Sequence, residues 1–208
     1  MSLAHSLWQE NGDLARAALE HRFVRGLANG SLPIESFKRY VAQDAFFLES
    51  FARAYALALA HSPDREGLEV FAGLVAGVLE ELRLHEGYAA CWDVSLVDVV
   101  PGEATLSYTN FLLSTAVLGS VGETCAAMVP CMRLYSFLGR SLADEGVEDD
   151  NPYREWIETY AGPDFDDLAD RLEALLDRYA SDTTAVRNAY RRAMRLEVAF
   201  FEAAVGEG

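Results

Sequence analysis

Hydrophobic residues recur at the 3.6-residue period of an amphipathic α-helix along nearly the whole chain. Short segments rich in Gly, Pro, Asn, Asp and Ser separate the periodic stretches. We find no alternating strand pattern with a hairpin turn. The pattern predicts helices over Ala4–Ala28, Pro33–His61, Arg65–Cys91, Glu103–Gly119, Gly122–Glu145, Pro152–Tyr160, Asp164–Ser181 and Thr184–Val205. Short connections between such helices favour a single all-α domain over residues 1–208.

The composition is that of a folded protein with an unusual charge. Hydrophobic residues make up 51% of the 208 residues and charged residues 24%, whereas the net charge is −16. An acidic chain repels phosphate groups, so nucleic acid and anionic membrane surfaces are unlikely partners. Lys38 is the only lysine, and the other basic residues are arginine. Two explanations of the preference for arginine over lysine are open: a GC-rich genome or adaptation to high salt.

The cysteines and the N-terminus favour a reducing, cytoplasmic location. Three cysteines, with no CxxC pair, do not predict a disulfide framework. The first ten residues lack the basic and apolar segments of a secretory signal. The longest apolar stretch, residues 71–79, is far shorter than the ~20 residues that a membrane-spanning helix needs.

Two carboxylates interrupt apolar helix faces. Asp44 lies among aromatic residues of the second predicted helix, and Glu197 lies on the apolar face of the last. A buried charge finds a partner, changes its pKa or lines a cavity. Asp44 alone is explained by a bond to a neighbouring helix or by a position at a helix kink. Glu197 alone is explained by a buried salt bridge to an arginine elsewhere in the chain. Together they indicate a polar pocket.

A helical proline marks a third candidate. Pro130 lies inside the fifth predicted helix, where it is expected to kink the helix, and Cys131 follows it directly. A cysteine on an apolar helix is usually a small packing residue, but a kink beside a pocket can expose its thiol. Tyr108 and Tyr160 are similarly explained as core or as site residues.

Glu81 and His85 have the spacing of a helical metal-binding pair. Such a site needs further carboxylates and a second histidine on a facing helix. Glu197 is followed by Phe201 where that histidine would stand. We therefore expect neither a metal nor another cofactor.

Several of these residues belong to motifs that resemble the TenA/THI-4 family, also called thiaminase II or aminopyrimidine aminohydrolase. The motifs occur in the family's order and cover almost the whole chain: His21-Arg-Phe-Val24, Asn29-Gly-Ser-Leu-Pro33, Phe37-Lys-Arg-Tyr40, Gln43-Asp44-Ala-Phe-Phe-Leu48, Glu81-x-x-x-His85, Ser107-Tyr-Thr109, Pro130-Cys-x-x-Leu-Tyr135, Trp156-Ile-x-Thr-Tyr160 and Glu197-x-x-Phe-Phe201. The resemblance implies a haem-oxygenase-like helical bundle that usually forms a homotetramer.

The resemblance also implies catalytic roles. Cys131 matches the nucleophile that adds to a pyrimidine ring, and Glu197 matches the carboxylate that moves the ring's proton. Asp44 matches the acid that binds a ring nitrogen or amine. Tyr108 and Tyr160 match residues that stack on the ring and donate hydrogen bonds. Many members have Tyr at the position of Phe47, so this chain lacks one hydroxyl there.

These observations predict a hydrolase of thiamine salvage. It would convert 4-amino-5-aminomethyl-2-methylpyrimidine to the hydroxymethylpyrimidine with release of ammonia, and cleave thiamine as a side activity. A non-catalytic pyrimidine-binding or regulatory protein on the same fold is the alternative, although a binding protein has no need of the thiol. A helical oxidase is the third hypothesis, and the number of metal ligands argues against it.

Overall fold

The chain folds as a bundle of α-helices in a computed structural model that describes residues 1–206, apart from the side chains at positions 84 and 88. The helices are α1 (Leu3–Glu10), α2 (Gly12–Leu19), α3 (Arg22–Ala28), α4 (Ile34–His61), α5 (Arg65–Trp92), α6 (Glu103–Leu118), α7 (Val121–Glu145), α8 (Arg154–Ala161), α9 (Pro163–Tyr179) and α10 (Thr184–Val205). The described residues contain no β-strand, so the predicted all-α class is confirmed. None of the described helices combines the length and apolar character needed to cross a bilayer.

The prediction of one helix over Ala4–Ala28 is wrong, because two polar side chains interrupt it. Asn11 leaves helical geometry at φ −107° and ψ 17°, and its side-chain amide donates to the Leu7 carbonyl over 2.8 Å. His21 is extended, and its Nδ1 accepts a hydrogen bond from the Phe23 backbone N–H over 3.2 Å. Side chains that bond nearby backbone groups compete with helix continuation. Three short helices result.

Helix α7 occupies the centre of the bundle. A capping box begins it, in which Ser120 accepts from the Glu123 backbone N–H and the Glu123 carboxylate accepts from that of Ser120. The helix continues unbroken through Pro130. Every residue from 124 to 132 is buried, as expected for a helix that is packed on all sides. Helices α4, α6, α8, α9 and α10 surround it.

Two features hold α8 and α9 against α7. A Cβ atom at Gly139 would lie 2.4 Å from the Tyr160 backbone carbon, so only glycine allows α8 to approach this closely. Arg133 on α7 forms ion pairs with three carboxylates of α9, those of Asp166, Asp170 and Glu173. These contacts bring the ends of α8 and α9 to the middle of α7, where Cys131 lies.

Candidate active site

Five helices enclose a narrow cavity beside the middle of α7. Its free volume of about 10 Å³ is close to that of one water molecule. A pyrimidine ring therefore fits only when the wall side chains move apart. The lining residues are Asp44, Phe47, Leu48 and Phe51 from α4, Glu81 from α5, Cys131, Met132 and Tyr135 from α7, Tyr160 from α8 and Phe165 from α9.

Cys131 places its thiol at the wall of this cavity. The side chain is 8% exposed, whereas Cys125, earlier on the same helix, is completely buried. Burial raises the pKa of the Cys131 thiol well above its usual value, and the negative charge of Glu197 acts in the same direction. The thiol therefore needs an adjacent proton acceptor to become a nucleophile.

Glu197 lies within hydrogen-bonding reach of that thiol. Its side chain on α10 is buried, and Oε1 accepts a hydrogen bond from the Tyr108 hydroxyl over 2.6 Å. Burial raises the pKa of Glu197 to about 8, although the bonds to Tyr108 and Cys131 oppose this rise. The ion pairs among the described residues do not include Glu197. An arginine salt bridge therefore does not account for it, and the carboxyl can exchange a proton near neutral pH.

Asp44 is paired with a histidine on the neighbouring helix. Its Oδ2 lies 2.7 Å from Nε2 of His85, and Nδ1 of the same ring lies 3.0 Å from the Glu81 carbonyl oxygen. Burial lowers the pKa of His85, but the bond to Asp44 and its charge outweigh burial and raise the pKa to about 9. Both ring nitrogens then donate, and His85 is an imidazolium whose Nε2 faces the Asp44 carboxyl. Asp44 thus has a partner on a neighbouring helix and also lines the cavity.

The four-residue spacing places the Glu81 carbonyl oxygen beside Nδ1 of His85, and this contact orients the ring toward Asp44. Both His85 ring nitrogens already contact protein oxygens. Within residues 1–206, no group of three or more His, Cys, Asp and Glu side chains is placed to hold a metal ion.

Aromatic rings form the rest of the site. Tyr160 donates a hydrogen bond to Oε1 of Glu81 over 2.7 Å, and its ring lies 4.8 Å from that of Phe165. Phe47 contacts the Tyr108 ring at 4.8 Å. Flat aromatic walls of this kind suit a flat heterocycle.

The six residues singled out from the sequence occupy two layers. Four of them line the cavity, namely Asp44, Phe47, Cys131 and Tyr160. Glu197 and Tyr108 lie behind this wall, where Glu197 reaches the thiol and Tyr108 holds Glu197.

Sequence reasoning missed other residues of the cavity. Glu81 and His85 were visible as a spaced pair, but their pattern suggested metal ligands rather than a partner for Asp44. Phe165 carried no signal, because it reaches the cavity only through the turn between α8 and α9.

The sequence is similar to those of a known protein family. The sequence model of the TENA/THI-4/PQQC family matches residues 8–207. The chain belongs to this family. It is 33% identical to the aminopyrimidine aminohydrolase of Halalkalibacterium halodurans, over all of this chain and 97% of that protein. It is 35% identical to the mitochondrial bifunctional TH2 protein of Arabidopsis thaliana, but the matched region spans only 37% of that longer protein.

Solved structures of this family share the fold. A TenA family transcription regulator from Silicibacter sp. TM1040 superposes with a TM-score of 0.91 at 29% identity, over 99% of this chain and 98% of its own. A TenA homologue from Pyrococcus furiosus gives a TM-score of 0.88 at 26% identity, over 96% and 98% of the two chains.

Proposed function

We propose that the protein is an aminopyrimidine aminohydrolase of thiamine salvage. Its substrate would be 4-amino-5-aminomethyl-2-methylpyrimidine and its products the hydroxymethylpyrimidine and ammonia. The observation that carries the proposal is the interaction of the Cys131 thiol with Glu197, at the wall of an aromatic cavity that Asp44 also lines. Relatives named aminopyrimidine aminohydrolase, from Halalkalibacterium halodurans and Bacillus subtilis, support the reaction class.

The first step of the mechanism breaks the aromaticity of the ring. The Cys131 sulfur forms a bond to a ring carbon while its proton passes to Glu197, and Glu197 delivers a proton to a ring nitrogen. An S–H bond is replaced by an N–H bond, so no net charge develops in the buried site. Burial brings the pKa of Glu197 to about 8, which suits a group that must both give and take a proton near pH 7.

The second step replaces the amine. The ring expels ammonia from its methylene carbon, and water adds there. The C–S bond then breaks, its electron pair returns to sulfur, and the proton on the ring nitrogen returns to Cys131 through Glu197. The hydrogen bond from His85 holds the Asp44 carboxyl in place as an acceptor for an amino group of the substrate. Phe47 provides a stacking surface without the hydroxyl of the more common Tyr.

Non-catalytic pyrimidine binding, as in a regulator, is the second candidate, since the similar Silicibacter protein is described as a transcription regulator. A binding protein gains nothing from a thiol beside a proton-exchanging carboxyl. The pairing of Cys131 with Glu197 therefore favours catalysis.

Ammonia release from the aminomethylpyrimidine tests the proposal. We expect the wild-type protein to release one ammonia per substrate and Cys131→Ser to release none above background, because the less acidic hydroxyl is a far weaker nucleophile. Cys91→Ser is the matched control, since Cys91 is exposed. A Cys131→Ser protein with a near wild-type rate would refute the nucleophile, and an inactive wild-type protein that still binds the pyrimidine would establish the regulator.

Three further properties are proposed with this function. The protein cleaves thiamine as a side activity, assembles as a homotetramer and is located in the cytoplasm. Thiazole release, light scattering and cell fractionation measure them in turn.

A further inference from the structure

A surface groove lies next to the cavity, between α5 and the α8–α9 turn. It has a volume of about 400 Å³ and is far wider than the cavity. Glu81 and Phe165 line both spaces, so the groove meets the cavity at these two side chains. The remaining groove residues are Gly77, Glu80, Glu158, Thr159, Gly162, Asp164 and Leu168.

Glu81 is held in a defined orientation at this junction. The Tyr160 hydroxyl donates to Oε1 over 2.7 Å, so a proton carried by the Glu81 carboxyl resides on Oε2. Tyr160 is buried and its ring is packed between Tyr135 and Phe165, which fixes the donor. Glu81 therefore presents one specific oxygen as a proton donor.

The surroundings of Glu81 allow that proton to move. Burial raises its pKa to about 7, against the lowering effect of the His85 imidazolium. The acid and its conjugate base are thus both populated near neutral pH. In the proposed mechanism Glu197 protonates the ring nitrogen. The departing amine therefore needs a second proton donor.

Resting on that proposed function, we propose that Glu81 is a second acid–base residue, which protonates the leaving amine and then deprotonates the attacking water. Its place at the mouth of the cavity puts it on the side from which a leaving group departs into the groove. Glu197 contacts the thiol from α10, whereas Glu81 approaches from α5.

The proton balance of this step is complete. As the C–N bond breaks, nitrogen keeps the bonding electron pair and takes the Oε2 proton, so that ammonia leaves and Glu81 becomes a carboxylate. Water then forms the new C–O bond and gives one proton to Glu81. The carboxyl returns to its starting state, and neither an oxidant nor a reductant is needed.

Thiamine, used as a second substrate, distinguishes the proposed role of Glu81 from that of Glu197. Its leaving nitrogen is quaternary and departs as a neutral thiazole, which needs no proton. Protonation of the ring nitrogen is required for both substrates. Loss of Glu81 should therefore slow ammonia release selectively, whereas loss of Glu197 should slow both reactions.

The experiment is a single-turnover measurement of leaving-group release with enzyme in excess. We expect Glu81→Gln to lower the rate of ammonia release by about 100-fold, as is typical for loss of general acid catalysis. Thiazole release should stay within about threefold, because general acid catalysis gives no advantage to a leaving group that takes up no proton. The glutamine keeps an oxygen that can accept from Tyr160. If wild-type protein does not cleave thiamine, the trimethylammonium analogue of the substrate takes its place.

Two matched variants make the result specific. Glu86→Gln removes an exposed carboxylate from the same helix and should leave both rates unchanged. Glu81→Asp keeps the acid but shortens its reach, and should restore part of the ammonia release. Equal losses with both substrates, or no loss with either, would overturn the proposal. Inactive wild-type protein would instead refute the proposed function, and this inference with it.

Discussion

The carboxyl groups of Asp44 and Glu197 are buried to a similar degree but have chemically different partners. Asp44 faces the imidazolium of His85, an ionic partner 2.7 Å away. Glu197 faces the hydroxyl of Tyr108, a neutral donor 2.6 Å away. Burial raises the pKa of Glu197 to about 8, whereas the Asp44 pairing raises that of His85 to about 9.

This difference shows that the partner, more than burial, decides what a buried carboxyl can do. A cationic partner keeps the charge in place and makes the pair a fixed electrostatic element. A neutral donor leaves the carboxyl free to bind or release its proton. The chain thus places a carboxyl paired with a histidine and a proton-exchanging carboxyl within one site.

Removing the exchangeable acid should have the largest effect on activity. We expect Glu197→Gln to lower kcat for ammonia release by about 10²- to 10⁴-fold, the range for general acid–base catalysis. Stability should change little, because the amide oxygen still accepts from Tyr108. The rate is measured by ammonia release and stability by urea unfolding. A variant as unstable as one that lacks Asp44 would contradict the comparison.

Replacing Asp44, the carboxyl that is paired with His85, should mainly lower the free energy of unfolding. Asp44→Asn leaves His85 buried without its ionic partner, and breaking a buried pair costs about 3–5 kcal/mol. The folded state raises the pKa of His85 to about 9, above the unfolded value of about 6.5. The stabilisation is therefore complete below pH 6.5 and is lost as the pH rises through 9.

Urea unfolding of wild type and Asp44→Asn at pH 6 and at pH 9.5 measures that difference. The gap between the two proteins should be wide at pH 6 and narrower at pH 9.5. A gap that is the same at both pH values would show that His85 is neutral in the folded protein.

The smallest predicted effect concerns Tyr108, the neutral hydrogen-bond donor to Glu197. The Tyr108 hydrogen bond lowers the pKa of Glu197, so Tyr108→Phe should raise that pKa further. The ring and its contact with Phe47 are retained. Infrared titration of the protonated carboxyl band measures the shift, with Glu197→Gln as the control that lacks the band. An unchanged titration would mean that Tyr108 does not tune the acid.

The sequence predicted most of the helices and six individual residues of the site, but not which of the side chains contact one another. Hydrophobic periodicity, together with the Gly, Pro, Asn and Asp residues between the periodic stretches, located α4 through α10 to within two residues at each end. It failed before residue 30, where Asn11 ends α1 and His21 begins α3 through local hydrogen bonds to the backbone, without a proline. Asp44 and Glu197 stood out because a charge on an apolar face is costly.

Partner assignment was beyond the sequence for a physical reason. Asp44 and His85 are 41 residues apart, and their contact depends on the rotation of α4 and α5 about their own axes. A helix face predicts which side chains point inward, not which of them touch. The same holds for Glu81 and Tyr160, which are 79 residues apart.

Hydrogen bonds between α7 and α9 limit how the site can admit a ring. Asp166, directly after Phe165, accepts hydrogen bonds from Arg133, Ser136 and Arg140, all on the helix that carries Cys131. Sliding α9 outward would break these bonds together. We therefore expect rotation of the Phe165 side chain about its own bonds, rather than displacement of α9, to make room for a ring at this wall of the cavity.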